Sequence, residues 1–96
     1  MALPPSGQFT TQIASDIHRD GLGVELLSSS GSIVAEVFRC DRDKTVRVSC
    51  WSNSVTDDVL AWLLPYSAEQ LSCFENGAPL PGINTWPIYR DLNTNA

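Results

Sequence analysis

The residues that could carry chemistry in this chain are one histidine and three cysteines: His18, Cys40, Cys50 and Cys73. Their number matches the ligand set of a structural zinc site, but the sequence contains no Cys-x-x-Cys pair. The strand pairing derived below also places Cys40 and Cys50 on opposite faces of a sheet, so we expect no disulfide between them. We therefore predict neither a metal site nor a bound cofactor.

A cysteine and histidine acting as a catalytic pair is the second possibility. A nucleophilic thiol needs a base within hydrogen-bond reach and a third group that orients the base. His18 has acidic neighbours at Asp16 and Asp20, two residues away on either side, and side chains two apart do not face each other on a helix. We interpret His18 as a solvated surface residue and predict no catalytic residue.

Three short motifs match parts of known sites without completing them. Residues 18–20 (His-Arg-Asp) occur in the protein-kinase catalytic loop, but this chain has no glycine-rich loop and is far too short. Residues 91–95 (Asp-Leu-Asn-Thr-Asn) match the first ligands of a calcium loop and lack its glycine and glutamate. Residues 21–23 (Gly-Leu-Gly) lack the third glycine of a phosphate-binding loop. None of these motifs indicates a family or an activity.

Length and charge narrow the classes of function. The 96 residues leave room for one domain, and 43% apolar with 18% charged residues is typical of a folded chain. Six basic against eleven acidic side chains give a net charge of −5, which argues against direct binding to nucleic acid or membranes. The sequence shows neither a membrane-length apolar run nor a signal peptide. With an odd number of cysteines, we expect reduced thiols and a cytoplasmic protein.

The N-terminal part of the chain predicts an arm followed by a short helix. Two prolines and a glycine within residues 1–8 favour a flexible arm. Phe9, Ile13 and Ile17 recur every four residues, which predicts an amphipathic helix that Gly21 ends. We take residues 9–76 as a single α+β domain.

A three-stranded antiparallel meander is predicted next, because apolar residues alternate and polar turns separate the runs. The predicted strands are residues 24–29, 32–40 and 45–51. Pairing across the two turns places Val37 between Val24 and Val48, and both hairpins agree on one apolar face. That face is the predicted core side: Val24, Leu26, Ile33, Ala35, Val37, Val46, Val48 and Cys50.

Two short helices, at residues 57–64 and 68–75, are predicted to pack on the core side. Thr56 is a good N-cap for the first, and Pro65 should end it because proline lacks the backbone N–H and clashes with the preceding turn. A second capping box then begins the next helix. The irregular tail, residues 77–96, has three prolines but keeps large apolar residues, so we expect it to pack on the domain or on a partner.

The other face of the meander carries apolar and aromatic side chains that the core does not use. Together with the aromatic tail, it predicts a partner-binding surface formed by Leu27, Val34, Phe38, Arg47, Trp51, Trp86 and Tyr89. Phe38 opposite Arg47 also allows a cation–π contact. The alternative is that the N-terminal helix or the tail of the same chain covers this face.

These observations predict a small, acidic, non-catalytic protein-binding module that acts as an inhibitor, an immunity-type protein or an accessory subunit. Its partner is another protein or a second copy of the chain. A small enzyme or ligand-binding domain that uses Cys40 or His18 is the first alternative. An acidic inhibitor that mimics nucleic acid is the second, although −5 is a modest charge for that function.

Overall fold

A five-stranded sheet with an α-helix on one face forms the described part of the chain, residues 8–91 of a computed structural model. The elements are β1 (Thr10–Asp16), β2 (Gly21–Leu27), β3 (Ile33–Cys40), β4 (Thr45–Cys50), α1 (Asp57–Leu71), a 3-10 turn (Ile83–Thr85) and β5 (Ile88–Arg90). The strands lie side by side in chain order, with β1 to β4 antiparallel and β5 parallel to β4. We call the face that packs on α1 the inner face and the opposite one the outer face. The α+β class is confirmed, but the predicted three strands and three helices are wrong.

The predicted N-terminal helix is a strand, β1, which forms one edge of the sheet. A spacing of four does not separate the two structures, because residues four apart share a face both of a helix and of a strand. Phe9 is buried, whereas Ile13 is exposed at the edge of the inner face and Ile17 is exposed in the turn after β1, so the regular spacing did not mark a buried stripe. The β-branched residues of this segment favour the extended backbone instead.

The pairing predicted across the middle of the sheet is confirmed. Val37 lies between Val24 on β2 and Val48 on β4. The whole predicted core side is buried apart from Ile33, which is 43% exposed. A β-bulge near the end of β2 leaves Val34 without a directly opposed residue on that strand. Val34 was predicted to lie on the outer face, but it packs into the core.

Helix α1 begins at the predicted cap and then continues through Pro65. The hydroxyl of Thr56 accepts a backbone hydrogen bond from the first turn. The predicted break at Pro65, and with it the second helix, is wrong. Pro65 and Ala61 are both exposed, so water can bind the Ala61 carbonyl that the proline leaves without a partner. Leu63 before the proline and Leu71 after it pack in one core, and that packing outweighs the local cost.

Arg39 on β3 ties the end of α1 to the sheet. Its guanidinium donates to the carbonyl oxygens of Leu71 at 2.9 Å and Cys73 at 2.7 Å, and it pairs with the Asp41 carboxylate at 3.0 Å. The same carboxylate accepts the backbone N–H of Glu75 at 2.9 Å. A cation at this position complements the negative end of the helix dipole. The network fixes both the end of the helix and the chain that leaves it.

Residues 77–91 return to the sheet, where an irregular tail was predicted. Trp86 is 4% exposed in the core, and its indole N–H donates to the Pro81 carbonyl at 2.9 Å. β5 then pairs with β4, with Ile88 opposite Val48. Three residues are too few to show an alternating pattern in the sequence. The predicted arm, except for Gln8, and the last five residues of the tail lie outside the described residues. No described helix is long and apolar enough to span a bilayer.

Replacing Pro65 with alanine should stabilise the fold. Alanine restores the backbone N–H and removes the clash, and proline costs a helix interior about 3 kcal/mol relative to alanine. We expect the free energy of unfolding, measured in urea, to rise by roughly 1 to 3 kcal/mol. Glu69→Ala, at another exposed position of α1, is the control and should change it by less than about 0.5 kcal/mol. Lower stability of the Pro65→Ala protein would show that the packing needs a bend at this residue.

Candidate binding site on the outer face

Two glycines on β2 leave a gap in the outer face. Gly21 pairs with Cys40, and Gly23 pairs with Phe38. A Cβ atom at Gly21 would lie 2.5 Å from the Phe38 ring, and one at Gly23 would lie 2.8 Å from the Glu36 carboxylate. The side chains of β3 therefore lean over β2 and occupy the space that side chains on β2 would need.

Arg19, in the turn between β1 and β2, covers this gap. Its guanidinium carbon lies 4.0 Å from the centre of the Phe38 ring. Two of its nitrogens donate to the two oxygens of Glu36, both at 2.9 Å, and Nε donates to Asp16 at 2.6 Å. As a result Phe38 is 4% and Glu36 7% exposed. One arginine thus covers the β2–β3 half of the outer face.

The same contacts shift two pKa values. Hydrogen bonding to Glu36 raises the pKa of the Arg19 guanidinium above its ordinary value, partly opposed by burial and helped by Asp16. Arg19 in turn lowers the pKa of Asp16, chiefly through their side-chain hydrogen bond, and the backbone N–H groups of Arg19 and His18 add to the effect. Both Arg19 and Asp16 are therefore held in their charged forms at neutral pH.

The fold itself uses part of the predicted binding surface. Of the predicted residues, Val34, Phe38 and Trp86 are buried, Leu27 and Trp51 are half-buried, and Arg47 and Tyr89 are exposed. The predicted cation–π contact between Phe38 and Arg47 is replaced by the contact between Phe38 and Arg19. The exposed residues of the predicted surface are therefore on β4 and β5.

A groove opens beside β4 and β5, and we call it the β4–β5 groove. Its volume is about 370 Å³, and Lys44, Thr45, Arg47, Pro81, Pro87 and Tyr89 are among the residues that line it. None of the described residues in its lining is acidic. The side chain of Arg47 forms no ion pair or hydrogen bond with any residue in the described part of the chain. The groove therefore offers an uncompensated cation next to an exposed aromatic ring.

A second depression, of about 170 Å³, adjoins the groove across Thr45 and Arg47, which line both. Arg42 lines this depression and pairs with its neighbour Asp43 at 3.4 Å. Four of the six basic side chains of the chain lie around the two depressions: Arg19, Arg42, Lys44 and Arg47. The basic residues of this acidic chain are thus concentrated on one side of the molecule.

The cysteines and the histidine do not form a reactive group. The Cys40 thiol donates to the Arg19 carbonyl at 3.5 Å, and burial raises the pKa of the Cys50 thiol. These two thiols are free and lie on opposite faces, as predicted. His18 is exposed in a turn, and within residues 8–91 no hydrogen bond joins its ring to a thiol. Those residues also contain no group of three side chains that could hold a metal ion.

Sequence reasoning missed Arg19 and Lys44 as outer-face residues. Two glycines inside a strand signal that another group approaches closely, but the predicted strand began at residue 24 and left both glycines outside it, whereas in the structure Gly23 pairs with Phe38. The error lay in the segment before β2, because a helix there would direct Arg19 away from the sheet. Lys44 was assigned only to a polar turn, where it adopts a left-handed backbone with φ of 57°.

Comparison with known proteins adds nothing to this geometry: the chain matches no family, no curated protein and no solved structure. A functional assignment therefore depends on the residues of the outer face and on the β4–β5 groove. The strongest physical feature of the groove is the guanidinium of Arg47, which has no ion-pair partner among residues 8–91.

Gly21→Ala should destabilise the fold strongly. Its Cβ would lie 2.0 Å from the Arg39 carbonyl oxygen as well as against the Phe38 ring, so the strand or the ring must move. We expect the free energy of unfolding to fall by roughly 2 to 4 kcal/mol. Gly82→Ala is the matched control, because nothing lies within 4 Å of its Cβ and its φ of −60° suits alanine. Similar stability of the two variants would contradict the packed gap.

The contact between Arg19 and Asp16 predicts a pH-dependent stability. Because the folded pKa of Asp16 lies below its unfolded value of about 3.9, the carboxylate stabilises the fold above that pH, and the stabilisation is lost as the pH falls through the folded pKa. Wild-type protein should be more stable than Asp16→Asn by a margin that is constant down to about pH 5 and closes below about pH 4.

Urea denaturation at a series of pH values measures this margin. In an Arg19→Gln background the margin should be smaller at neutral pH, because the first cause of the lowered pKa has been removed. An undiminished margin at about pH 3 would contradict the assignment.

Proposed function

We propose that this chain is a non-catalytic protein-binding module whose β4–β5 groove takes a short acidic segment of a partner protein. The observation that carries the proposal is the uncompensated guanidinium of Arg47, which lies near the exposed ring of Tyr89 in a groove whose described lining has no acidic residue. Arginine and tyrosine are among the residue types that occur most often at interface hot spots.

Ion pairing distinguishes the β2–β3 half of the outer face from the part that borders the β4–β5 groove. Arg19 already has two carboxylate partners within the chain. Arg47 has none in the described residues, and the Lys44 ammonium donates to a backbone carbonyl, that of Asp41. A carboxylate from a partner would therefore gain charge-assisted hydrogen bonds in the groove without breaking any ion pair formed among residues 8–91. Because the chain carries −5 overall, the groove is also the place that an acidic segment can approach with least repulsion.

The apolar part of the groove comes from Tyr89, Pro81 and Pro87. These side chains are rigid, so packing against them costs little conformational entropy. A volume of about 370 Å³ suits a few residues rather than a folded domain. The favoured ligand is therefore a short segment that combines carboxylates with an apolar side chain. Nucleic acid is disfavoured, because a polyanion needs many cationic contacts and meets a net charge of −5.

A module of this kind acts as an inhibitor, an immunity-type protein or an accessory subunit. The proposal includes the cytoplasm as its compartment, because free thiols suit a reducing environment. An enzyme that uses Cys40 or His18 has less support, since the Cys40 thiol is buried against a carbonyl rather than beside a base. An acidic nucleic-acid mimic also has less support, because the open part of the outer face is cationic.

A displayed library of random peptides tests the proposed ligand. Wild-type protein should select sequences that are rich in aspartate and glutamate and contain an apolar residue. The affinity for a selected peptide, measured by fluorescence anisotropy, should fall at least about tenfold in Arg47→Glu and should fall as salt rises. Tyr89→Ala should weaken binding as well, because it removes the apolar wall.

Arg42→Glu is the matched control for charge. It makes the same change at a residue that lines the neighbouring depression but not the groove. Its affinity should stay within about threefold of wild type, as expected for a peripheral exposed charge. Thermal melts must show that each variant is folded. Selection without enrichment in acidic residues, or an equal loss in the two arginine variants, would overturn the proposal.

A further inference from the structure

β1 is a long edge of the sheet whose outer side has no partner strand within residues 8–91. Its seven residues pair with β2 without a bulge. Four of the seven are exposed and none is buried. The backbone N–H and C=O groups that point away from β2 are therefore available to another strand.

β1 also lacks the features by which edge strands avoid pairing. Proteins protect such edges with short strands, prolines, bulges or lysines. The opposite edge of this sheet follows that rule, because β5 has three residues and Pro87 directly precedes it. β1 reads Thr-Thr-Gln-Ile-Ala-Ser-Asp, and its one charge, on Asp16, is paired with Arg19. In its centre lies Ile13, which is 47% exposed.

We propose that two copies of this chain form a dimer by antiparallel pairing of their β1 strands about a two-fold axis at Ile13. Overlap of all seven residues determines that centre, with position 10 opposite position 16, 11 opposite 15, and 12 opposite 14. In this register no like charges face each other, since Asp16 lies opposite a threonine. Inner-face residues meet inner-face residues, and each Ile13 lies opposite its own copy.

The pairing removes Ile13 from water on the side where α1 lies. Thr11, two residues earlier on the same face, has its hydroxyl 3.1 Å from that of Tyr66, which stacks on Trp62 at 4.9 Å. The aromatic pairs of the two copies therefore border the space in which the two isoleucines meet. The product is a continuous ten-stranded sheet with both helices on one side. The two β4–β5 grooves lie at its far ends, but the dimer does not depend on what they bind.

Sedimentation equilibrium over a range of protein concentrations tests the dimer. Wild-type protein should show a monomer–dimer equilibrium, and Ile13→Lys should be monomeric while keeping its melting temperature, because its side chain is already half exposed. Ile17→Lys is the matched control, since Ile17 is 86% exposed in the turn beyond β1 and should leave the dimer intact. A wild-type monomer at every concentration, or a dimer that survives Ile13→Lys, would overturn the proposal.

Disulfide crosslinking tests the register independently of affinity. In a Cys73→Ser background, Ile13→Cys should form a covalent dimer on mild oxidation with diamide, because directly opposed Cα atoms lie about 4.5 to 5.5 Å apart. Ile17→Cys lies four residues from the axis, which separates the two copies of that residue by about 27 Å, so it should stay monomeric. Equal crosslinking of the two variants would indicate random collision and would overturn the β1 interface.

Discussion

The stacking of Arg19 on Phe38 is the interaction on which the outer face of this protein depends. Antiparallel strands commonly pack one face on a core and leave the other to solvent, and in residues 8–91 no helix covers the outer face of this sheet. A guanidinium suits this position because its flat surface stacks on the ring while its edge satisfies two carboxylates, Asp16 and Glu36. Arg19 therefore both shields the Phe38 ring from water and neutralises the two carboxylates, and both effects depend on the turn that carries Arg19.

That turn can reach Phe38 only because β2 carries no side chains at Gly21 and Gly23. The glycines cost the strand conformational entropy and packing, which the ring and the carboxylate of β3 offset by filling the gap. The inner face needs no such device, because alternating valines and leucines pack directly on α1. The sheet is thus held by ordinary apolar burial on one side and by a charged, stacked contact on the other.

The middle of the sheet could be predicted from the sequence because two independent hairpins had to agree on one apolar face, and a one-residue error in either would have placed polar residues in the core. Other elements depend on contacts distant in the chain. β1 becomes a strand because β2 offers it an edge, α1 passes Pro65 because packing on both sides exceeds the local cost, and β5 is too short to show a pattern. At the site, Arg47 followed from strand pairing and Tyr89 from the aromatic composition of the tail, whereas Arg19 required knowledge of β1.

The part of the outer face that Arg19 covers and the part where Arg47 is exposed have a common origin. Phe38 and Arg47 are directly paired on neighbouring strands, so in an ordinary sheet they would contact each other and Arg47 would lie over the ring. The glycine gap draws the ring toward β2 instead, where Arg19 stacks on it. Arg47 is thereby left without a partner in the described chain, beside the prolines and the tyrosine that the returning tail brings to β4. The two glycines on β2 thus explain why the Arg47 guanidinium, two strands away, has no partner among the described residues. That guanidinium is the feature by which the proposed groove would prefer an acidic ligand.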